Sequence, residues 1–378
     1  MVGVVGGGQL ARMMQQAAIA LDVELRLLST SATDSAALVV PATRIGDERG
    51  LDDLQALAAD VDVLTFDHEH VPQPHLQALE AAGVVVRPGS AALHHAQDKA
   101  TMRIDLAAVG APVPRFAVLP PGAGAGALTA AVEEVGGWPV VLKTARGGYD
   151  GKGVWLVDGP AGDLSALRAE VPVLVEEPVP FVRELSALVA RSPSGQAVAY
   201  PVVESVQRDG ICVEVVAPAP GLAPDVAVAA QRLALQVAQR LDVVGVLAVE
   251  LFELADGGLL VNELAMRPHN TGHWTIDGAV TSQFENHLRA VLDLPLGSPL
   301  ARAPVTVMVN LLGRDLPDVH RALRHVLARD PGLRVHLYGK QVRPGRKIGH
   351  VTVVGDDLDD LRRRAWHAAD YISGVIDQ

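Results

Sequence analysis

Cysteine, lysine and long apolar runs are what this 378-residue chain has least of. A single cysteine, Cys212, permits no internal disulfide, which agrees with a reducing cytosol and argues against a cysteine-ligated zinc site. No uncharged apolar run is long enough to cross a bilayer, so no membrane partner is expected. The opening "MVGVVGGGQLARMM" lacks the charged leader and cleavage site of a signal peptide. Excess positive charge is absent too. A formal net charge of -12 and a pI near 5.5 disfavour a nucleic-acid surface and leave room only for local basic patches. Only Lys99, Lys143, Lys152, Lys340 and Lys347 are lysines; the rest of the 32 basic residues are arginines. Either codon bias explains this, or each of the five sites needs a compact, flexible ammonium rather than a planar fork. What is abundant is apolar: 49% hydrophobic against 20% charged residues suits a globular protein with two or three cores.

Periodicity divides the chain. "VGVV", "LARMMQQAAIAL" and "VELRLLS" read as strand, helix and strand; "LDDLQALAAD" with "VDVLTFDHE", and "PHLQALEAAG" with "VVVRPG", repeat the alternation. The expectation is an α/β protein (α+β overall) whose N-terminal unit is a doubly wound, Rossmann-like parallel sheet. A helix from Gln97, "QDKATMRIDLAAVG", leads into the boundary "APVP". A smaller unit follows, with a helix at 126–135 and strands at 139–143, 153–157 and 173–177. Beyond "EEPVP" come antiparallel-looking strands, a helix near 224–241, the stretch "VVGVLAVELFELADGGLLVNELAM" and an α/β appendix over 304–378.

Five motifs carry chemistry. Gly6 to Ala11 fits the G-x-G-x-x-G/A pattern weakly, because the next strand ends in Ser29 and Thr30 rather than an acid. Phosphate binding, a tight turn and a nicotinamide site all stay open. In "LKTARGGYDGKGVW" the glycines free backbone N–H groups for an anion and Lys143 and Lys152 add charge, as in a lid over a triphosphate. The bland alternative is an Asp150-Gly151 hairpin turn. A two-residue turn at Asp256-Gly257 pairs Ala255 with Gly258 and, counting outward, Glu250 with Glu263. Carboxylates facing each other at roughly 4.5–5.5 Å are destabilising unless a cation such as Mg²⁺ sits between them. Glu253 then lies opposite Leu260 on the other face. After the hairpin, Arg267, His269, Asn270 and His273 crowd the loop "LAMRPHNTGHWT", which suits an anionic substrate. "YGKQVRPGRKIGH" adds Lys340, Arg343, Arg346 and Lys347, a basic patch suited to a phosphomonoester.

In this order and spacing, "GGGQLARM", "KTARGGYDGKG", "VEEPVPFVRELS", "NELAMRPHNTGHWT" and "YGKQVRPGRKIGH" resemble the N5-carboxyaminoimidazole ribonucleotide synthetase family, the ATP-grasp carboxylases of bacterial and fungal purine (IMP) synthesis. The resemblance covers essentially the whole chain. It implies a three-domain ATP-grasp fold (pre-ATP-grasp 1–97, small lid domain 98–178, C-terminal 179–378), a cytoplasmic enzyme and a homodimer. It also implies the reaction: ATP, bicarbonate and 5-aminoimidazole ribonucleotide give ADP, phosphate and the N5-carbamate, with Mg²⁺ or Mn²⁺. Position by position, it puts Lys99 and Lys143 on the ATP phosphates and Gly148, Tyr149, Asp150, Gly151, Lys152, Gly153 and Val154 over them. Glu176, Glu177, Pro178 and Val179 take adenine, and Glu184 the ribose. Glu250 and Glu263 become metal ligands, with Asn262 beside the nucleotide. Gly8, Gln9, Leu10, Glu69, Arg343, Arg346 and Lys347 take the ribonucleotide. Tyr149, Asp150, Arg267, His269, Asn270, His273 and Lys340 surround bicarbonate and the reacting amine.

The chain departs from the family pattern at Ala11, Asp67 and Met266, and Ala265 stands where many ATP-grasp enzymes have asparagine. None of these removes a charge that the chemistry needs. Two other readings remain: a sister ligase such as the formate-dependent glycinamide ribonucleotide transformylase, and a nucleotide sensor without turnover.

Overall fold

The computed structural model describes residues 1–378 except 149–151, 169, 315–318 and 377–378, and the following statements concern the described residues. The first unit comprises β1 (Val2–Val5), α1 (Gln9–Ala20), β2 (Leu25–Ser29), β3 (Ala42–Ile45), α2 (Leu51–Ala58), β4 (Val63–Phe66), α3 (Gln73–Ala81) and α4 (Ser90–Gln97). Its sheet is parallel in the order β3-β2-β1-β4. β1 is buried throughout, as a central parallel strand covered on both faces must be. Two expectations need correction. "VVVRPG" contributes a single parallel bridge, Leu64 to Val86, instead of a strand, since Pro88 brings no N–H to a ladder. The helix foreseen from Gln97 starts two residues later, at Lys99: Asp98 is extended and caps the Ala100 and Thr101 N–H groups at 3.0 Å, and Gln97 instead ends the preceding helix α4.

The second unit holds α5 (Lys99–Ala108), β5 (Phe116–Leu119), α6 (Ala125–Glu134), β6 (Val140–Thr144), β7 (Val154–Val157) and β8 (Val173–Glu176). Its antiparallel sheet, ordered β5-β8-β6-β7, packs Val140, Leu142, Val173 and Val175 against Leu128, Ala131 and Val132 of α6.

The third unit runs through β9 (Phe181–Arg191), β10 (Ala197–Ala199), β11 (Val203–Arg208), β12 (Ile211–Ala217), α7 (Pro224–Arg240), β13 (Gly245–Leu254), β14 (Leu259–Ala265), α8 (Thr275–Gly278), α9 (Gln283–Val291), β15 (Val305–Leu312), α10 (Val319–Arg329), β16 (Arg334–Leu337), β17 (Lys347–Gly355) and α11 (Leu358–Ile372). Nine strands form one sheet, β14-β13-β9-β11-β12-β15-β17-β16, with β10 on β9. The strands of the C-terminal appendix therefore extend the same sheet rather than build a separate one.

The hairpin β13–β14 is paired as expected at Glu250 and Glu263, but by a different route. The Leu254 N–H bonds the Gly258 carbonyl, so the loop is three residues long and closes on Gly257 at φ +82. That shift would slip the carboxylates out of register. A bulge between Glu250 and Leu251 on β13, which leaves Asn262 as the extra residue of β14, cancels it. Glu253 accordingly faces Leu259, not Leu260, and pairs with Arg183. The bulge also switches parity along β14. Val261 faces the core beneath α7, as do Leu264 and Met266 beyond it, which leaves Glu263 on the other face with Ala265.

Candidate active site

Glu250 and Glu263 stand at one end of the large sheet, on the face that looks toward the second unit. Glu250 is pushed up from the ordinary carboxylate range by burial first, then by Glu263 and Glu184, while Lys99 and Lys347 pull the other way. Lys99, at the start of α5, forms an ion pair with Glu263. Lys143, from β6, reaches Glu176 Oε2 at 2.7 Å and donates to Asn262 Oδ1 at 3.1 Å. The second and third units thus place two carboxylates and two ammonium groups around one cleft. Glu184 is half-buried, and burial raises its carboxyl, with Lys143 opposing.

Glu176 is nearly inaccessible. Burial opposes its charge, but Lys143 and Arg103 outweigh that and hold its carboxyl below the usual range. Glu177 receives the Arg115 N–H at 2.9 Å and its Nε at 2.7 Å. Both carboxylates are therefore engaged within the protein, which leaves the main chain of this segment and the partly exposed Pro178 and Val179 side chains to meet a base. Arg103 escaped the sequence reading. Its one available signal was a charge one turn after Lys99 on a helix whose neighbours Met102 and Leu106 are core.

Behind Glu263 the chain turns through the loop after β14. Glu69 Oε1 accepts the Met266 N–H at 2.9 Å and Oε2 lies 3.2 Å from Arg267 Nε, which ties this loop to the first unit. His269 Nε2 is 3.6 Å from Glu250 Oε1 and its Nδ1 is 2.9 Å from Thr271 Oγ1. Burial, with Arg267 and Lys347 acting the same way, pushes His269 down to about 3, so the ring is neutral and the contact is not an ion pair. Gln283, also missed, is fully buried: it accepts the His269 N–H at 2.8 Å and donates to the His269 carbonyl at 2.7 Å and to His273 Nδ1 at 3.0 Å. A glutamine at the first position of a helix carries no signal in sequence. His273 corrects an expectation: it has no exposed surface and packs between Phe284, Tyr338 and His350, so it supports the site from behind instead of lining it. Asn270 keeps both side-chain polar atoms buried without a protein partner.

At the start of α1, the Leu10 side chain is core, so only its main chain can meet a ligand. Gly8 is required by close approach: a Cβ there would lie 2.0 Å from Asp67 Oδ2. Asp67 already accepts the Ala11 N–H at 2.7 Å, so the helix end is partly claimed by a carboxylate, and a dianion is served better elsewhere. Gln9 Oε1 accepts from Lys340, which brings the basic segment against this helix. Arg343 and Arg346 are exposed and contact Gln341, at 3.1 Å and 3.4 Å. Lys347 differs: its charge bears on Glu250, His269 and His273, placing it on the cleft side.

Of the expected lid, Tyr149, Asp150 and Gly151 lie outside the described residues. Lys152 is exposed, Val154 begins β7, and the Thr144 N–H bonds the Gly153 carbonyl at 3.0 Å. A Cβ on Gly148 would come within 2.6 Å of the Lys152 carbonyl. Gly148→Val is therefore expected to wedge the two limbs of this loop apart and lower the turnover rate roughly 10- to 100-fold. The unfolding temperature should move little. ATP with magnesium should protect the 145–153 loop of the parent protein from limited proteolysis, and an unprotected loop would contradict a closing role.

Residues 1–97 match the ribonucleotide synthetase preATP-grasp domain, 105–284 the ATP-grasp domain, and 306–364 the phosphoribosylaminoimidazole carboxylase C-terminal domain. The chain is 58% identical to the N5-carboxyaminoimidazole ribonucleotide synthase of Mycobacterium tuberculosis over 99% of its own length and 88% of that protein's. It resembles the crystal structure of N5-carboxyaminoimidazole ribonucleotide synthetase from Thermus thermophilus at a TM-score of 0.87 and 37% identity, covering 100% and 99% of the two chains. It also resembles N5-carboxyaminoimidazole synthase from Aspergillus clavatus in complex with ADP and 5-aminoimidazole ribonucleotide, at a TM-score of 0.89 and 31% identity over 98% of each chain.

Proposed function

Because the chain belongs to the N5-carboxyaminoimidazole ribonucleotide synthase family of ATP-grasp ligases, we propose that the cleft between its three sheets carries out that family's reaction with the residues placed there. ATP is the co-substrate, and 5-aminoimidazole ribonucleotide is carboxylated on nitrogen in purine synthesis. A bicarbonate oxygen attacks the γ-phosphorus, ADP leaves and carboxyphosphate forms. The exocyclic amine then captures the carboxyl carbon, directly or as CO₂ released from carboxyphosphate; phosphate departs and the nitrogen loses a proton.

The observation that carries this reading is the Glu250–Glu263 pair set between Lys99 and Lys143. Two carboxylates, one of them forced toward its neutral form, fit a divalent cation, and Glu250 and Glu263 would hold Mg²⁺ or Mn²⁺. When bound, the metal offsets phosphate charge. Lys99 and Lys143 orient the phosphates, and the loop from Gly148 to Val154 excludes water from a hydrolysable intermediate. The main chain of 176–179 takes adenine, with Glu184 near the ribose. Neutral His269, Arg267, Asn270 and Lys340 face bicarbonate and the amine, and His273 backs them. Gly8, Gln9, Glu69 and Lys347 border the ribonucleotide, whose phosphate falls to Arg343 and Arg346. Division at 97/98 and 178/179, a homodimer and a cytoplasmic location belong to the same reading and are supported by the family resemblance alone.

The test is ADP release measured with each substrate omitted in turn. Release should need both bicarbonate and 5-aminoimidazole ribonucleotide; release indifferent to them, or dependent on formate and glycinamide ribonucleotide, would overturn the reading. Charge-assisted contacts are worth about 1.5–3 kcal/mol, so Arg346→Ala should lower kcat/KM for 5-aminoimidazole ribonucleotide roughly 10- to 150-fold. The KM for ATP should not change. A variant that loses ATP affinity instead would remove this segment from the phosphate site.

A further inference from the structure

Arg103 has no exposed surface, yet it brings a full charge to the junction of three elements. From α5 its Nε and Nη2 reach Glu176 Oε1 at 2.7 and 2.5 Å. Its Nη1 donates to the Val261 carbonyl at 2.5 Å and its Nη2 to the Asn262 carbonyl at 3.0 Å. Those carbonyls belong to the residues at the β14 bulge, where the strand changes which face it presents. A bulge disrupts the ladder, and a buried carbonyl without a donor is costly. A guanidinium can meet two carbonyls and a carboxylate at once because its donors are splayed in one plane; an ammonium cannot span them.

Glu176 links the same arginine to Lys143, which in turn reaches the Asn262 side chain. Arg103 therefore touches the backbone on one side of Glu263 and, through one carboxylate, the lysine on the other side of the cleft. We propose that Arg103 is a positioning residue for phosphoryl transfer: it fixes the bulge that turns Glu263 into the cleft and anchors Glu176, so that metal ligand and phosphate lysine are set by one side chain. This rests on the proposed reading of the cleft, but its structural half can be tested without any substrate.

The experiment uses Arg103→Lys in the full chain, which leaves Glu176 a cation but cannot bridge both carbonyls. Amide hydrogen exchange over 259–265 should speed by about tenfold or more while β9 and β11 stay protected. The value of kcat should fall about 10- to 100-fold, as for other partners that orient ligands from behind. The KM for 5-aminoimidazole ribonucleotide should stay within about twofold, because no contact to that substrate is changed. If Arg103→Lys is too unstable to study, the Arg103→Met/Glu176→Met double variant, which leaves neither charge at this junction, should show the same fast exchange. Unchanged exchange over 259–265 in either variant overturns the inference, as does full turnover in Arg103→Lys. Should the parent protein release no substrate-dependent ADP, the functional reading fails while the exchange result still decides the role of Arg103 in the bulge.

Discussion

Glu263→Gln is expected to abolish turnover, by about 10³-fold or more, because several kcal/mol of charge stabilisation accompany a metal ligand and each 1.36 kcal/mol is tenfold in rate. The same change should leave the metal-free unfolding temperature level or slightly raised. Glu263 is partly exposed and contributes repulsion to half-buried Glu250, so neutralising it relieves a conflict even as Lys99 loses its partner. The pH dependence has a definite sign. In the folded protein the Glu250 carboxyl is raised, to about 8, so between the ordinary glutamate range and that value the folded state keeps a proton that the unfolded chain has released. Metal-free stability should therefore fall as pH rises from about 5 to about 8. In Glu263→Gln the decline should be shallower, and Mg²⁺ should stabilise the parent more at the upper end of that window than at the lower. Calorimetry with and without metal at the two pH values measures all of this. A large drop in metal-free stability with activity retained would refute a metal held by the pair.

Lys143→Met should lower kcat roughly 10²- to 10³-fold, the cost of removing one preorganised donor from a developing charge, and raise the KM for ATP. Its stability cost should be smaller than for most broken buried pairs, about 1–3 kcal/mol, since Glu176 keeps Arg103. Glu176 is held below the ordinary carboxylate range by both cations, so its stabilising contribution is present above that range and is lost in acid. Parent and Lys143→Met should thus differ in unfolding temperature near pH 7 and converge as pH falls below about 4. A difference that persists in acid would mean that the methionine disturbs packing and not charge. A normal kcat would take Lys143 off the phosphates.

What could be read from the residues was whatever depends on local pattern. β1 and α1 follow from an apolar run and a 3.6-residue period, and the pairing of Glu250 with Glu263 was foreseen from turn chemistry. Even there two offsets had to cancel, because neither a three-residue loop nor a bulge is marked by residue type in "ELADGGLLVNEL". The roles of Arg103, Gln283 and Asp67 stayed hidden for another reason. Each acts through partners distant in sequence, Glu176 and Val261 for the first, His269 for the second and the Ala11 N–H for the third, and no spacing rule encodes a contact across three sheets. Histidines misled in the opposite direction. His269 and His273 look alike in the string, yet one meets Glu250 and the other fills a core beside Phe284.

The hairpin that ends at Glu263 behaves like a message read in two frames. Up to Val261 alternate residues spell the core; from Glu263 onward the same alternation spells the cleft, and Asn262 is the frameshift between them. Such a device has an arithmetic of its own. An added residue at the tip, around Asp256, only lengthens the loop, and loss of the extra residue Asn262 would still leave Glu263 opposite Glu250, whereas a single insertion between Gly258 and Asn262 moves Glu263 opposite Val249 and sends a carboxylate into the core. Added residues among chains of this kind should therefore gather at the tip, and one inserted in the neighbouring strand without a second bulge would carry the glutamate to the core face.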